Sequence, residues 1–352
     1  MVKKKLFIAR NTSKILKSYK RYKNLKSIVP FYFWSLSRNL HRSKSIKLDN
    51  LKNTQRSRRI RPSPSSLSSS PTPRRIIAIG DLHGDYEQTI RVLSLANIID
   101  DKINWSNGNG ILVQTGDIVD RGPDCLKIYK LFERLQKEAK VAGGMVINLF
   151  GNHELMNLEL DWDHVTDEDI ESFGSKKNRI IEFSSDGFIG KFFGTSFQVA
   201  AIVEDTLFVH GGINLKWANE GIERMNKIGA NLVKKYTEFL CDPEMQETGT
   251  FTKKDFMTTD EEDLLEGDGP FWHRDYALQT KKNEEELDKV LEVLKVFGHT
   301  VCMKNIVSNF NGKVYIIDVG ISSCYGGHLA ALEIIGDKVR EIYPEDTKFF
   351  DF

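Results

Sequence analysis

The chain reads as an α/β protein built around parallel strands, an expectation that rests on three observations. Apolar runs at Ile76 to Ile79, Ile111 to Thr115 and Met145 to Phe150 have the length of buried strands, and each is bounded by glycine. Segments of helical character, Tyr86 to Ala96 and Asp124 to Ala139, separate the runs, and a strand–helix–strand–helix–strand order implies parallel strands with right-handed crossovers. A short polar motif opens as the chain leaves each strand: Gly80-Asp81-Leu82-His83-Gly84, then Gly116-Asp117-Ile118-Val119-Asp120-Arg121-Gly122, then Gly151-Asn152-His153-Glu154. Open α/β sheets place their ligands there, in the crevice beyond the carboxyl ends of parallel strands.

The later elements follow by the same reading. Gln198 to Val203 and Thr206 to Val209 flank Glu204-Asp205, which predicts a hairpin whose second strand ends at His210-Gly211-Gly212. Leu215 to Leu240 and Glu284 to Val296 have helical character, and the acidic stretch Asp260 to Gly269 between them reads as an exposed loop. Gly298-His299-Thr300 comes next, then a hairpin-like pair around Asn311-Gly312 and apolar runs at Val314 to Val319 and Leu329 to Ile335.

With 352 residues and 40% apolar content the chain can bury a substantial core, but its net charge of +1 conceals an asymmetry. Residues 1–75 hold 21 of the 50 Lys and Arg residues and one acid, Asp49, which leaves 29 basic against 48 acidic residues in the remainder. An acidic body repels nucleic acid, so no specific nucleic-acid partner is expected and the basic tail is a separate unit. Arg61 to Arg75, with Pro62, Pro64, Pro71, Pro73 and a serine run, has linker composition, so the expected division is a basic tail over 1–75 and a catalytic domain over 76–352. Residues 1–48 lack Asp and Glu and place Ile8, Thr12, Ile15, Tyr19 and Tyr22 at helical spacing, the character of a mitochondrial presequence. The alternative is a basic arm on a cytoplasmic or secretory-pathway protein. No apolar run approaches the roughly 18 residues of a transmembrane helix. Cys125, Cys241, Cys302 and Cys324 show no CxxC spacing, so no disulfide framework is expected.

Asp81, His83, Asp117, Asn152, His210 and His299 together offer carboxylate, amide and imidazole ligands, a mixture that suits Mn, Fe or Zn better than copper or calcium. Asp117 is the natural carboxylate to bridge two ions, which at about 3.5–4 Å apart can bind both non-ester oxygens of a phosphate and hold an attacking hydroxide. The leaving oxygen needs a proton, and His153 is the candidate acid, oriented and kept charged by Asp120. Arg121 can clamp phosphate oxygens. Singly, each motif is an ordinary turn or histidine. Three in order, each behind a strand and followed by HGG and GHT, make a joint accident remote.

GDLHG, GDIVDRG, GNHE, HGG and GHT resemble the signature series of the phosphoprotein phosphatase branch of the metallophosphoesterases, over about residues 76–335. The resemblance implies a calcineurin-like αββα sandwich. It implies that Asp81, His83 and Asp117 hold the first of two divalent or trivalent metal ions, and Asp117, Asn152, His210 and His299 the second. His153 with Asp120 is then the acid pair and Arg121 a phosphate clamp. Gly269-Pro270-Phe271-Trp272-His273-Arg274 resembles the place where the family supplies a second arginine, here Arg274. Where eukaryotic Ser/Thr phosphatases carry a tyrosine-cysteine-glycine-glutamate loop that binds natural-product inhibitors, this chain has Asp318-Val319-Gly320-Ile321-Ser322-Ser323-Cys324-Tyr325-Gly326-Gly327-His328-Leu329. That segment is similar to the Shewanella-like, bacterial-type subgroup and implies insensitivity to those inhibitors.

The leading expectation is hydrolysis of phosphoprotein monoesters, on Ser/Thr or Tyr. Inorganic polyphosphate or a dinucleoside polyphosphate is the alternative substrate, favoured by the basic tail, and a noncatalytic phosphate-binding scaffold is the alternative class, opposed by every ligand position being filled. Around the site, His273 is expected at the rim or in a structural role, and His328 in a strand near the site. Trp162 and His164 either line the cleft or pack a helix, and Asn157 stabilises the turn after Glu154.

Overall fold

The computed structural model describes residues 72–248, 256–278 and 294–344. The basic tail expected over 1–75 therefore lies outside the described residues up to residue 71, as does the helical expectation over 284–293. Strands β1 (Ile76–Ile79), β2 (Ile111–Gln114), β3 (Met145–Leu149) and β4 (Phe197–Gln198) are mutually parallel, and β10 (Ala331–Ile335) with β11 (Lys338–Ile342) extends them antiparallel beyond β1. A second sheet has the order β5 (Ala200–Val203), β6 (Thr206–Val209), β7 (Leu294–Phe297), β9 (Val314–Ile316), β8 (Val307–Asn309); β6, β7 and β9 are parallel, with antiparallel strands at both edges. Helix Cys125–Val141 packs on β3 and helix Ile222–Phe239 on β5, and one buried apolar cluster draws on both sheets. This is the αββα sandwich expected. The first sheet is buried on both faces at β1 and β2, which is why those strands read as continuous apolar runs.

The elements of the first half stand where their patterns put them, including helix Tyr86–Leu95, capped by the Asp85 side chain accepting the Gln88 N–H. The hairpin across Glu204-Asp205 forms, with Ala200 opposite Val209, and so does the pair around Asn311-Gly312. Gln198 is not part of that hairpin: it ends β4 in the first sheet, and the chain changes sheets at Val199.

Four further expectations are corrected. The acidic stretch contains a helix, Thr259–Leu265, because Thr258 and Glu261 form a capping box and Lys235 and Arg224 neutralise Glu261 and Asp260 from the neighbouring helix. Leu215 to Leu240 is broken at Gly221, whose φ of 88° suits glycine, into helices Leu215–Glu220 and Ile222–Phe239. Leu294 to Val296 lies in an inner strand between β6 and β9, where a short apolar run serves as well as in a helix. His328 lies in the loop before β10, its N–H donating to Gly320 O at 3.0 Å. No helix among the described residues is long and apolar enough to cross a membrane.

Candidate metal centre

Five parallel strands from the two sheets end toward one place. Asp81 and His83 follow β1, Asp117 follows β2, Asn152 follows β3, His210 follows β6 and His299 follows β7. All six ligand candidates are buried. Asp117 is central: its Oδ2 lies 3.8 Å from His83 Nε2, 3.5 Å from His210 Nε2 and 3.8 Å from His153 Nε2. Its Oδ1 accepts the backbone N–H of His153 at 3.0 Å. Asp81 Oδ2 is 4.0 Å from His83 Nε2, and Asp81 Oδ1 accepts the His299 N–H at 3.2 Å. His210 Nε2 lies 3.0 Å from Asn152 Oδ1, and its ring centroid is 4.9 Å from that of His299.

The histidines are oriented from behind. His83 Nδ1 is 3.0 Å from Val119 O and His210 Nδ1 is 2.8 Å from Thr115 O, so Nδ1 carries the proton and Nε2 turns its lone pair inward. Burial, then the charge of His153, lowers His83 to about 3, and burial followed by His210 holds His299 well below its ordinary value. Both are neutral donors at pH 7. Burial pushes Asp81 well above the usual carboxylate range, with the like charges of Asp318 and Asp117 adding to it. Burial acts the same way on Asp117 but is outweighed by His210 and His153, and its carboxyl stays well below that range.

Two sets of donor atoms, His83/Asp117/His153 and Asp117/His210/His299, each lie within 4.8 Å of one another and share Asp117. His299 Nε2 is buried and makes no hydrogen bond among the described residues. A buried nitrogen without a partner, beside crowded carboxylates and neutral imidazoles, fits metal cations of borderline softness.

The backbone here is strained. His83, Asp117, Asp120, Arg121 and His299 have φ of 46°, 57°, 72°, 67° and 60°, a left-handed conformation that costs on the order of 1–3 kcal/mol per residue and persists only where the surroundings over-determine it. Glu154 supplies much of that determination. It accepts N–H groups from Asp117 (2.9 Å), Ile118 (2.8 Å) and Gly151 (2.7 Å), and the Tyr129 hydroxyl at 3.0 Å, tying the second motif to the third. Gly151 permits the approach, since a Cβ there would stand 2.1 Å from Asp117 Oδ1. Glu154→Gln turns an amide NH₂ toward these donors, and a loss of about 3 kcal/mol is expected from charged hydrogen bonds of this kind, read as a lower urea midpoint. An unchanged midpoint would show that Glu154 does not hold the loop.

His153 and Asp120, the candidate acid pair, lie in contact: His153 Nδ1 donates to Asp120 Oδ2 at 2.6 Å. Burial opposes charge on His153, but Asp117 and the Asp120 hydrogen bond outweigh it and raise its pKa. Arg121 Nη2 is 3.5 Å from His153 Nε2, its guanidinium lies 5.1 Å from the Tyr325 ring centroid, and the Tyr325 and His83 rings are 5.6 Å apart. Arg274 Nη1 donates to His299 O at 3.2 Å, and Trp272 meets the His299 ring edge-on at 5.5 Å. His164 sits in a loop with its ring 5.0 Å from that of His153 and its carbonyl accepting the Arg121 N–H. Trp162 lies under the Arg179 guanidinium. His273 is buried, with Gly212 packed on its ring. Asn157 does more than finish a turn: its amide donates to Asp120 Oδ1 at 2.8 Å and to His153 O at 2.8 Å.

Sequence reasoning gave no role to Glu154, Asp318, Tyr325 or Arg179. Asp318 follows β9, which is parallel to β7, so it occupies the same kind of strand-end position as the ligand candidates, and burial with Asp117 pushes its carboxyl up to about 6. An apolar run ending in Asp-x-Gly was the signal for it. The others carry none, because a capping glutamate, a rim tyrosine and a helical arginine are unremarkable in one dimension.

The sequence pattern of the calcineurin-like phosphoesterase family matches residues 74–303. An uncharacterized protein of Schizosaccharomyces pombe is 36% identical over 275 residues, covering 74% of this chain and 77% of the relative. Shewanella-like protein phosphatase 2 of Arabidopsis thaliana is 29% identical over 320 residues, 75% of this chain and 76% of the relative. A crystal structure of a cold-active protein-tyrosine phosphatase from a psychrophilic Shewanella species superposes with a TM-score of 0.63 at 28% identity, covering 76% of this chain and 77% of that one. The chain thus belongs to the calcineurin-like phosphoesterase family, with its relatives supporting the Shewanella-like subgroup, and is a metal-dependent phosphatase.

Proposed function

We propose that this phosphatase is a dinuclear enzyme that hydrolyses phosphoprotein monoesters, on Ser/Thr or Tyr. Asp81, His83 and Asp117 hold one ion, Asp117, Asn152, His210 and His299 the other, and Mn, Fe or Zn suits the donors. When bound, the ions supply Lewis acidity to the phosphate oxygens and a nucleophilic water ionised near pH 7. Arg121 and Arg274 bind the remaining phosphate oxygens, and Asn152 helps orient the ester. His153 delivers its Nε2 proton to the leaving alkoxide or phenoxide while Asp120, at 2.6 Å from Nδ1, fixes the ring and stabilises its charge.

The observation that carries this reading is the His153–Asp120 pair set against Asp117 Oδ2, an acid at hand beside the ligand cluster. The printed names of the relatives, protein phosphatase and protein-tyrosine phosphatase, support phosphoprotein as substrate. The full chain, supplied with Mn or Zn, is expected to hydrolyse phosphoserine or phosphotyrosine peptides in preference to inorganic polyphosphate and dinucleoside polyphosphates; the reverse order overturns the substrate assignment.

The basic segment 1–75 is, in this reading, a targeting segment of mitochondrial character, and 76–352 the catalytic domain. Its deletion is expected to leave turnover on a phosphopeptide untouched. A KM that rises on deletion and does so in a salt-dependent way would identify a substrate-guiding arm instead.

A further inference from the structure

Behind Asp120 a chain of buried polar groups runs away from the metal centre into the helical segment 167–183, which contains none of the sequence motifs. Asp120 Oδ1 accepts the Asn157 amide at 2.8 Å, and Asn157 Oδ1 accepts Arg179 Nη1 at 2.6 Å. Arg179 Nε donates to Asp169 Oδ2 at 2.8 Å, and its Nη2 is 3.7 Å from Asp120 Oδ1. Asp169 stands on helix Asp167–Ser172 and Arg179 on helix Lys176–Phe183. Arg179 is 1% exposed and Asp120 and Asp169 are fully buried, while the rings of Trp162, Phe173 and Phe183 surround the guanidinium at 5.0–5.5 Å.

Burying a guanidinium and two carboxylates together is expensive, and a hydrophobic cluster of the same volume would serve stability as well or better. What the polar chain does provide is a fixed position for Asp120. Asp120 sits at a φ of 72° and has two oxygens: one holds His153, and the other has, among the described residues, only Asn157 as its hydrogen-bond donor, with Arg179 close by. Asn157 in turn cannot swing, because its carbonyl is held by an arginine that is itself anchored on Asp169.

The geometry points to Arg179, acting through Asn157 and anchored by Asp169, as a positioning residue that holds the Asp120–His153 pair in line for proton delivery to the leaving group. The helical segment 167–183 thereby takes part in the reaction without touching substrate. This inference rests on His153 being the acid, and its signature is a leaving-group dependence, because a misplaced acid matters most where the departing oxygen is basic.

The test uses the full chain with Mn and compares an alkyl phosphate with p-nitrophenyl phosphate. Arg179→Met combined with Asp169→Leu removes the buried pair without stranding a charge. It is expected to lower kcat on the alkyl phosphate by about 10–100-fold, part of the 10²–10⁴ a general acid supplies, and on p-nitrophenyl phosphate by less than about threefold. Asn157→Leu, which leaves Arg179 and Asp169 paired, carries the same test should the double variant not fold, and thermal unfolding and bound metal are followed in both. In a His153→Asn background either change should add no further loss, since residues that act as one unit are non-additive. Equal losses on the two substrates, no loss, or a full additional loss in that background would each overturn the inference. His153→Asn alone distinguishes the two levels: if it slows both substrates equally, the acid assignment itself fails and the positioning role fails with it; if it is selective while the other variants are not, only the positioning role is lost.

Discussion

A His153→Asn enzyme is expected to hydrolyse an alkyl phosphate about 10²–10⁴-fold more slowly than its parent while keeping its metal, because with His153 as the proposed acid it loses the proton donor and no proposed ligand. The size of the effect follows from the leaving group. An alkoxide is far too basic to depart unprotonated, whereas p-nitrophenolate leaves readily, so the same variant should approach parental turnover on p-nitrophenyl phosphate. Asparagine is the informative replacement: its amide occupies the space near Asp120 Oδ2, preserves a neutral donor toward that carboxylate, and cannot deliver a proton. Unchanged kcat on the alkyl phosphate would remove His153 from the mechanism, and a loss of metal would reassign it as a ligand, a role that its 3.8 Å approach to Asp117 Oδ2 makes a real competitor.

Asp117→Asn should be at least as damaging, through a different quantity. Asp117 Oδ2 faces His83, His153 and His210, and Oδ1 accepts the His153 backbone N–H. An amide cannot satisfy both sides: with its oxygen kept on the His153 N–H, its NH₂ turns toward the imidazole lone pairs and the place of a cation. Elemental analysis is expected to find both ions lost, and activity to fall by at least about 10²-fold, the scale of one missing electrostatic stabiliser. Two metals retained per chain would refute the bridge.

Much of this was legible in one dimension, for a physical reason. The ligand candidates belong to local strand-to-turn patterns, so an apolar run that ends in Gly-Asp or Gly-Asn states both the element and the place where its side chain emerges. The hairpin across Glu204-Asp205 and helix Cys125–Val141 are equally local. Misreadings fell where local signals conflict. The run of acids from Asp260 reads as a solvated loop, and the Thr258–Glu261 capping box and its helix become visible only when Lys235 and Arg224 of another helix are brought alongside. Leu294–Phe297 is too short for its period to be read, and only its place between β6 and β9 makes it a strand.

The sequence by itself determined the candidate centre: the ligand candidates, the His153–Asp120 pair and the order in which parallel strands deliver them, since each is encoded within a few residues of a strand end. Only the tertiary structure decided how that centre is held. Glu154 ties two motifs together by accepting backbone groups from both, Asp318 joins the carboxylates from a strand of the second sheet, and Arg179 reaches Asp120 through Asn157. These depend on distances between residues far apart in the chain, and such distances exist only after the two sheets have packed.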